Sequence, residues 1–193
     1  MVRLLVLGDT HIPDRAPKIP RRLEDIISLR KPWEVVIFTG DLTSRDILAW
    51  LQELSDRVYV VRGNMDYLPL PKTQAFEVEG IKFGIHHGDG IFPRGDPTKL
   101  TQVAKSLDVE ILISGHTHSD FVKLSSTGHE LLLNPGSLTG VWGGGGGSFV
   151  PSFITLEVAN NMINIKTYKL QKENFVETSL RALRAERKWI LEK

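Results

Sequence analysis

The sequence contains no cysteine and no apolar run long enough to cross a membrane. Without thiols the chain has no thiol nucleophile, no thiolate zinc site and no disulfide, so nitrogen and oxygen atoms must hold any metal. A membrane span needs about 20 consecutive apolar residues. The N-terminus also lacks the cationic segment and apolar stretch of a secretion signal. These absences predict a cytoplasmic protein that does not bind membranes.

A large excess of positive charge is also missing. Lys and Arg total 24 and Asp and Glu total 23, which gives a net charge of +1. Proteins that hold long nucleic acids need a broad cationic surface, and aromatic side chains that stack on bases make up only 8% of this chain. We therefore expect no broad nucleic-acid surface, which argues against a nuclease.

The apolar residues indicate the fold class. Short runs of Val, Ile and Leu predict buried strands at residues 2–7, 35–38, 58–61, 81–85 and 111–113. Amphipathic stretches between them predict helices at 19–30, 45–54 and 98–107. Later runs without intervening helices lie at 121–124, 131–133, 153–158 and 163–170. This order predicts one α/β domain over residues 1–193, with a parallel half, an antiparallel half and two packed sheets.

The last segment, residues 174–193, has the spacing of an amphipathic helix. Asn174 is suited to cap the helix and Glu177 to return the hydrogen bond, while Val176, Leu180 and Leu183 would share one face. We therefore predict a C-terminal helix. With the apolar residues of 149–153, it would offer a surface for a homo-oligomer.

Side chains that can bind metals follow the predicted strands through the first two thirds of the chain. In chain order they are Asp9, His11, Asp41, Asn64, Asp66, His87, His116 and His118. The carboxyl ends of parallel strands meet at one edge of a sheet, and neighbouring glycines allow the chain to turn sharply there. Nitrogen and hard oxygen ligands without sulfur suit Mn, Fe, Zn, Co or Ni. The pattern predicts a transition-metal centre.

Five short motifs in this set resemble the signature of calcineurin-like metallophosphoesterases. They are GDTH at 8–11, GD at 40–41, GNMD at 63–66, HG at 87–88 and GHTH at 115–118. With NPGS at 134–137, the chain is similar to the compact bacterial and archaeal phosphodiesterases of that superfamily, and to the eukaryotic retromer scaffold subunit. The resemblance spans about residues 2–169 and leaves the predicted C-terminal helix outside it. It implies a four-layer α-β-β-α sandwich with two mixed sheets.

The resemblance also implies a role for each ligand. Asp41 would bridge two divalent metal ions. The other implied ligands are Asp9, His11 and His118 for one ion and Asn64, His87 and His116 for the second. Mn is the expected metal, with Ni, Fe, Zn and Co compatible.

The expected activity is hydrolysis of a phosphate ester, either a small molecule or a nucleotide. A dinuclear pair lowers the pKa of bound water toward about 7, so that hydroxide is available for in-line attack on phosphorus. Asp41, Asn64 and His116 are the candidate catalytic residues.

Met65 departs from the pattern of the broader family. Many members have a histidine here that is thought to protonate the leaving oxygen, and a thioether has no proton to give. This favours diesters and activated esters over monoesters with poor leaving groups. Asp66 and Asp89 are candidate substitute acids and, with Arg62, candidate substrate contacts; Arg94 is a further candidate for a phosphate.

Two questions stay open at the level of sequence. The similar retromer subunit is an interaction module, so the alternative function is a protein-interaction scaffold with little or no catalysis. Ligand histidines tend to be replaced in such proteins, whereas all the implied ligands are present here. The five glycines of 143–147 suit either a permissive surface connection or a flap over a nearby site.

Overall fold

Three helices and twelve strands make up the chain in the computed structural model, which describes all 193 residues. The helices are α1 (Arg21–Leu29), α2 (Arg45–Leu54) and α3 (Pro97–Ser106). The strands are β1 (Val2–Leu7), β2 (Val35–Phe38), β3 (Val58–Val60), β4 (Thr73–Val78), β5 (Ile81–His86), β6 (Ile111–Ser114), β7 (Phe121–Leu124), β8 (Leu131–Asn134), β9 (Ser152–Ala159), β10 (Met162–Gln171), β11 (Asn174–Ala185) and β12 (Lys188–Glu192). The elements predicted before residue 171 are all found, with ends that shift by at most about two residues.

The strands form two mixed sheets, as the resemblance implies. The larger sheet has the order β12-β11-β10-β9-β1-β2-β3, and the smaller has the order β4-β5-β6-β8-β7. Strands β1, β2 and β3 are parallel, as are β5, β6 and β8, and all other neighbours are antiparallel. Each sheet therefore has a parallel centre whose carboxyl ends supply several loops to one edge.

Alternation along the buried strands divides the apolar side chains between separate cores. In β1, Leu4 and Val6 pack between the sheets, while Leu5 and Leu7 pack against α1 and α2. Helix α3 covers the outer face of the smaller sheet through Leu100 and Ala104. Because the central strands are buried on both faces, they have unbroken apolar runs. The four layers are those of the predicted α-β-β-α sandwich.

Side-chain caps start α2 and α3 and fix the ends of two long loops. Ser44 Oγ accepts a hydrogen bond from the backbone N–H of Asp46 at 3.0 Å. Asp96 Oδ1 accepts one from Lys99 N–H at 2.8 Å, and Pro97 occupies the first turn of α3. The first cap ends the loop that follows β2, and that loop contains the predicted bridging ligand.

The C-terminal segment is a pair of strands, so the predicted helix at 174–193 is wrong. Strand β11 pairs antiparallel with the whole of β10, and β12 pairs with β11. Val176 and Leu180 are four residues apart and share a face in a strand as well as in a helix, so their spacing does not separate the two structures. Pairing covers the edge of β10, and Phe175, Val176 and Thr178 favour extended backbone.

The strand pair contributes to the core rather than to a free apolar helix face. Ala182 is fully buried and Trp189 is 2% exposed, both within the core between the sheets. Phe153 is buried in β9, although Phe149 is exposed. The surface predicted for self-association therefore loses its helix, and a homo-oligomer stays a prediction. No helix of this fold is both long enough and apolar enough to pass through a membrane.

Candidate dinuclear metal centre

The predicted ligands lie on loops at one edge of the sandwich. Each loop follows a strand: β1 is followed by Asp9 and His11, β2 by Asp41, β3 by Asn64, β5 by His87, and β6 by His116 and His118. Backbone hydrogen bonds join the first two loops, since Asp9 N–H donates to Gly40 O and His11 N–H donates to Asp41 O, each at 3.0 Å. The parallel centres of both sheets therefore bring these side chains together.

Left-handed backbone angles occur at five of the seven predicted ligands. The φ values are 50° at Asp9, 47° at His11, 56° at Asp41, 66° at His116 and 56° at His118. A residue with a Cβ pays roughly 1–3 kcal/mol to adopt such a conformation, and the cost is accepted mainly at functional sites. These five are among the twelve non-glycine residues of the chain with positive φ, and they lie where the loops turn the ligand side chains toward a shared centre.

Asp9, His11 and His118 form one buried group whose ligand atoms lie within 4.8 Å of one another. His11 Nε2 and His118 Nε2 are 3.1 Å apart, and His118 Nε2 is 3.4 Å from Asp9 Oδ1. Asp9 also accepts a hydrogen bond from the backbone N–H of His116 at 3.0 Å. The carboxylate thus joins the first ligand loop to the last.

Asp41, His87 and His116 form a second group of the same kind. Asn64 lies beside it, with its Oδ1 atom 3.2 Å from His87 Nε2. The two groups meet at Asp41, whose Oδ2 atom is 3.4 Å from His11 Nε2 and 3.3 Å from His87 Nε2. One carboxylate oxygen therefore faces both groups, which is the position that a bridging ligand requires.

The outer ring nitrogens fix how two of the histidines face the centre. His87 Nδ1 donates to Thr39 O and His118 Nδ1 donates to Val141 O, each at 2.8 Å. A carbonyl only accepts, so Nδ1 carries a proton in both rings, and Nε2 is the atom directed inward. These bonds orient the rings as they are oriented in known metal sites.

The chemistry of the donor atoms fits divalent cations. A small buried volume contains the Nε2 atoms of His11 and His118 and carboxylate oxygens of Asp9 and Asp41. Such atoms repel one another unless a cation or a proton lies among them. Nδ1 of His11 is buried without a hydrogen-bond partner. All the donors are nitrogen or hard oxygen, the set that transition-metal dications prefer when sulfur is absent.

Burial keeps two of the histidines neutral. It lowers the pKa of His11 to about 4, and the nearby Arg15 guanidinium adds to this effect. It also lowers the pKa of His116 to about 4, with further contributions from His87 and Arg94. A neutral imidazole is the form that binds a metal, so both rings are ready at neutral pH.

His87 and Asp41 behave as an ion pair in the protein without metal. Burial alone would lower the pKa of His87, but the hydrogen bond to Asp41 and the charges of Asp9 and Asp41 outweigh it and raise the pKa to about 9. Burial likewise opposes ionisation of Asp41, and the bond to His87 outweighs it and lowers that pKa to about 2. A proton therefore lies between the two groups where a cation would bind.

Glycine is required at one close approach inside the site. A Cβ atom on Gly63 would lie 2.1 Å from Asp41 Oδ1 and 2.4 Å from the Asp41 backbone nitrogen. No real Cβ approaches other atoms so closely, so any larger residue would push the β3 loop away from the carboxylate. The glycine of the GNMD motif is thus explained by space rather than by flexibility.

Asp66, a candidate acid and substrate contact, organises the loops. Its Oδ2 atom accepts hydrogen bonds from the backbone N–H groups of Asp41 and Gly63, both at 2.8 Å, and its Oδ1 atom accepts one from Thr43 at 2.9 Å. Burial raises its pKa, although these bonds oppose the shift. Through these three hydrogen bonds, the carboxylate holds the loops after β2 and β3 together.

Arg62 and Asp89 lie at the same edge of the fold with exposed side chains. Neither forms a side-chain hydrogen bond or an ion pair with the predicted ligands, so their contact with a substrate stays a prediction. The NPGS motif has a clearer place: Asn134 Nδ2 donates to Gly115 O at 2.8 Å, and Ser137 Oγ donates to Asp9 O at 2.7 Å. This motif supports two of the ligand loops from behind.

A sequence model of the calcineurin-like phosphoesterase superfamily domain matches residues 2–161. The chain belongs to this superfamily. A probable metallophosphoesterase of Methanocaldococcus jannaschii is 44% identical over 134 residues, which are 69% of this chain and 67% of that protein. A probable metallophosphoesterase of Methanothermobacter thermautotrophicus is 42% identical over 137 residues, 69% of this chain and 76% of that protein.

Solved structures share the calcineurin-like fold with this chain. Wild-type Vps29 of Entamoeba histolytica, in a structure complexed with Zn²⁺, has a TM-score of 0.86 and 32% sequence identity. The alignment covers 93% of this chain and 99% of that one. Vps29 of Chaetomium thermophilum has a TM-score of 0.87 and 28% identity, covering 96% of this chain and all of the other.

Sequence reasoning did not identify Arg15, which lies beside the ligand cluster, and gave Arg94 only as a candidate phosphate contact. A small cavity of about 40 Å³ is lined by Arg15 and Arg94 together with Asp41, Asn64, His116, His118 and Gly143. Arg15 was not identified because it follows no predicted strand, and its nearness to the cavity depends on the path of the loop after β1. Its position four residues after His11, in a loop that carries two predicted ligands, was the available signal.

The glycine run lies against the ligand cluster. A Cβ atom on Gly143 would lie 2.2 Å from Cγ of His118, so the loop passes directly over this ring. Ser148 N–H donates to His118 O at 3.2 Å and holds the far end of the loop. Of the two alternatives left open by the sequence, this position favours a flap over the site.

Proposed function

We propose that this chain hydrolyses phosphate esters, and phosphodiesters more readily than monoesters, with two divalent metal ions. Membership of the superfamily and the two clusters of ligand atoms support a metal-dependent phosphoesterase. The observation that carries the proposal is the place of Asp41 Oδ2, within 3.4 Å of one group and 3.3 Å of the other. A single shared carboxylate is what a dinuclear hydrolytic site needs to fix its metal separation.

The proposed ligands divide as the resemblance implies. Asp41 would be shared, and the remaining ligands would be Asp9, His11 and His118 for one ion and Asn64, His87 and His116 for the other. Mn²⁺ is the proposed ion, and Ni, Fe, Zn and Co suit the same donors. Zn²⁺ is present in the similar Vps29 structure from Entamoeba histolytica.

The chain's own residues prepare the site for an anionic ester. A divalent pair, when bound, supplies a water-derived nucleophile near neutral pH and neutralises charge on the phosphoryl oxygens. The carboxylates of Asp41 and Asp9 accept hydrogen bonds from backbone N–H groups and so hold the ligand loops together. The backbone carbonyls of Thr39 and Val141 accept from Nδ1 of His87 and His118 and so orient these two rings. Arg15 and Arg94 add positive charge at the cavity. The binding site is thus preorganised for a phosphoryl group.

The preference for diesters rests on Met65. Its side chain is 43% exposed, and its backbone N–H donates to Asp41 Oδ1 at 2.8 Å, so the residue lies directly beside the bridging carboxylate. No proton donor is available at this position to assist a poor leaving group. An activated ester, whose leaving oxygen needs less protonation, is the better substrate for such a site, and we propose the same order for diesters over monoesters with poor leaving groups.

A comparison of two aryl esters tests the proposal. We expect the protein loaded with Mn²⁺ to hydrolyse bis(p-nitrophenyl) phosphate with a higher kcat/KM than p-nitrophenyl phosphate. Asp41→Asn should abolish both activities, whereas Asp56→Asn, an exposed carboxylate at the opposite end of β3, should leave them unchanged. A folded, metal-loaded protein that hydrolyses neither ester would contradict the function.

A further inference from the structure

Two arginines line the cavity beside the ligand cluster, and no carboxylate neutralises either of them. Arg15 and Arg94 are both within this lining, next to Asn64 and His116. Neither takes part in any of the ion pairs of the molecule. Arginine forks that lack an acidic partner at a concave site are suited to phosphate, because the planar guanidinium matches two of its oxygens at once.

Backbone carbonyls of the glycine loop and a ligand loop occupy these guanidinium groups instead. Arg15 Nη1 donates to Trp142 O at 2.9 Å, and the guanidinium lies 5.6 Å from the Trp142 ring centroid. Arg94 donates to Gly143 O and to His116 O. The third nitrogen of the Arg94 guanidinium, Nε, is buried without a partner. Each side chain is therefore held by neutral acceptors, and one keeps a donor unused.

The loop lies against the second arginine and is joined to it only through the carbonyl oxygen of Gly143. A Cβ atom on Gly144 would lie 2.2 Å from Arg94 Nη1, and the φ of 105° at this position is one that residues with a side chain rarely adopt, so glycine favours this approach. The middle of the loop is held by a single side-chain bond, from Ser119 Oγ to Gly146 O at 3.3 Å. A run of glycines also has many other backbone conformations open to it, so Trp142 is the only residue of this segment whose side chain would move with the loop.

We propose that Arg15 and Arg94 bind the phosphoryl group of the substrate. Residues 142–147, which we call the glycine flap, hold both side chains until a phosphoryl group replaces the flap carbonyls as their hydrogen-bond acceptor. The inference rests on the proposed function and names the residues that recognise its substrate. An ionised phosphate offers a guanidinium two parallel hydrogen bonds and an opposite charge, neither of which a single neutral carbonyl supplies. The exchange is therefore favourable, and a phosphate oxygen can also accept from Nε of Arg94, which has no partner in this structure.

Binding of inorganic phosphate tests the proposal without catalysis. Metal content is measured first, and each protein is then titrated with phosphate by calorimetry in its metal-loaded form. We expect Arg15→Gln and Arg94→Gln to keep the metal content of the wild type and to weaken phosphate binding by about tenfold or more each. Arg57→Gln, an exposed arginine at the opposite edge, is the matched control and should bind as the wild type does. Unchanged phosphate affinity in Arg15→Gln and Arg94→Gln would overturn the proposal.

Trp142 fluorescence reports whether Arg15 leaves the glycine flap when phosphate binds. Because Arg15 stacks on this ring, its transfer to phosphate should change the emission of the metal-loaded wild type. Trp142→Phe, which leaves Trp33, Trp50 and Trp189, should show no such change. A phosphate-dependent signal of equal size in both proteins would contradict movement at the flap.

Arg15 is exposed, so the phosphate affinity of Arg15→Gln tests the proposal even if Arg94→Gln proves unstable.

Kinetics separate this proposal from the hydrolase function. With an active enzyme, the two arginine variants should raise KM for the aryl diester by about tenfold, and Arg94→Lys should recover part of the loss because it restores charge without the fork. If the wild type binds phosphate through both arginines but hydrolyses no ester, the inference stands and the proposed function fails. If hydrolysis proceeds with unchanged KM in both variants, the function stands and the inference fails.

Discussion

Individual ligands are the part of the site that sequence alone predicts best. Each candidate lies just after a strand that its apolar residues identify, and all of them lie within residues 2–161, which the superfamily model matches. The arginines at the cavity have no such marker, because Arg15 and Arg94 reach it through loop paths that only the folded chain defines. The sequence also did not predict that Asp66 accepts three backbone N–H bonds. A carboxylate within a motif can act on the substrate or hold loops together, and the motif alone does not separate these roles.

Met65→His tests whether the missing proton donor limits the substrate range. The residue is partly exposed beside Asp41, so an imidazole has room at the mouth of the site. General acid catalysis is worth about 10²–10⁴-fold when the leaving group is poor. We expect kcat/KM for an alkyl phosphate monoester to rise at least about tenfold and that for bis(p-nitrophenyl) phosphate to change little, both measured with Mn²⁺. Equal changes for the two substrates, or none for the monoester, would contradict the role given to Met65.

Metal binding should depend on pH through His87. The folded protein without metal keeps this ring protonated up to a pKa of about 9, whereas His11 and His116, with pKa values of about 4, are already neutral above pH 5. A bound metal requires a neutral ring, so binding must release the proton of His87. Affinity for Mn²⁺ should therefore fall by about tenfold for each pH unit below 9. Calorimetry at pH 7 in buffers of different ionisation enthalpy should show about one proton released, and a pH-independent affinity between 6 and 8 would contradict this account.

At the scale of elements, strand ends were predictable and the C-terminal segment was not. Buried parallel strands have continuous apolar runs, and in the structure Ser44 and Asp96 cap the starts of the two helices predicted at 45–54 and 98–107. In β11, by contrast, Val176 and Leu180 fit either a helix face or a strand face, and the outcome depends on pairing with β10. Strands β10 and β11 form a hairpin joined only by Lys172 and Glu173, and these two residues lack the Asn-Gly or Asp-Gly signature of such turns, so reasoning from spacing alone gave the wrong element.

Trp189→Ala tests the placement of the last strand. Its side chain is 2% exposed in the core between the sheets, whereas that of its neighbour Ile190 is 50% exposed. Removal of a buried aromatic side chain costs about 3–5 kcal/mol, and Ile190→Ala should cost under about 1 kcal/mol. Denaturant unfolding measures both. Since β12 lies at the sheet edge, four strands from β1, the metal content should not change. Similar losses from the two variants would contradict the alternation that places Trp189 inside.

At the scale of the whole molecule, the sandwich explains why so dispersed a set of residues meets. The larger sheet supplies Asp9, His11, Asp41 and Asn64 from the ends of three parallel strands, and the smaller supplies His87, His116 and His118 from two. The core between the sheets holds these two half-sites at a fixed separation. Neither sheet contains a complete group, because His118 completes the first and Asp41 completes the second. The site is therefore a property of the packed sheets.

The most direct test of the account is the number of metal ions that each folded chain holds. We expect equilibrium titration with Mn²⁺ followed by elemental analysis to give about two ions per chain for the wild type. Asp41→Asn should lose both, and His118→Ala should weaken mainly one, because Asp41 faces both groups and His118 only the first. A folded wild-type protein that retains no Mn²⁺, Ni²⁺, Fe²⁺, Zn²⁺ or Co²⁺ would contradict the dinuclear centre and favour the scaffold alternative.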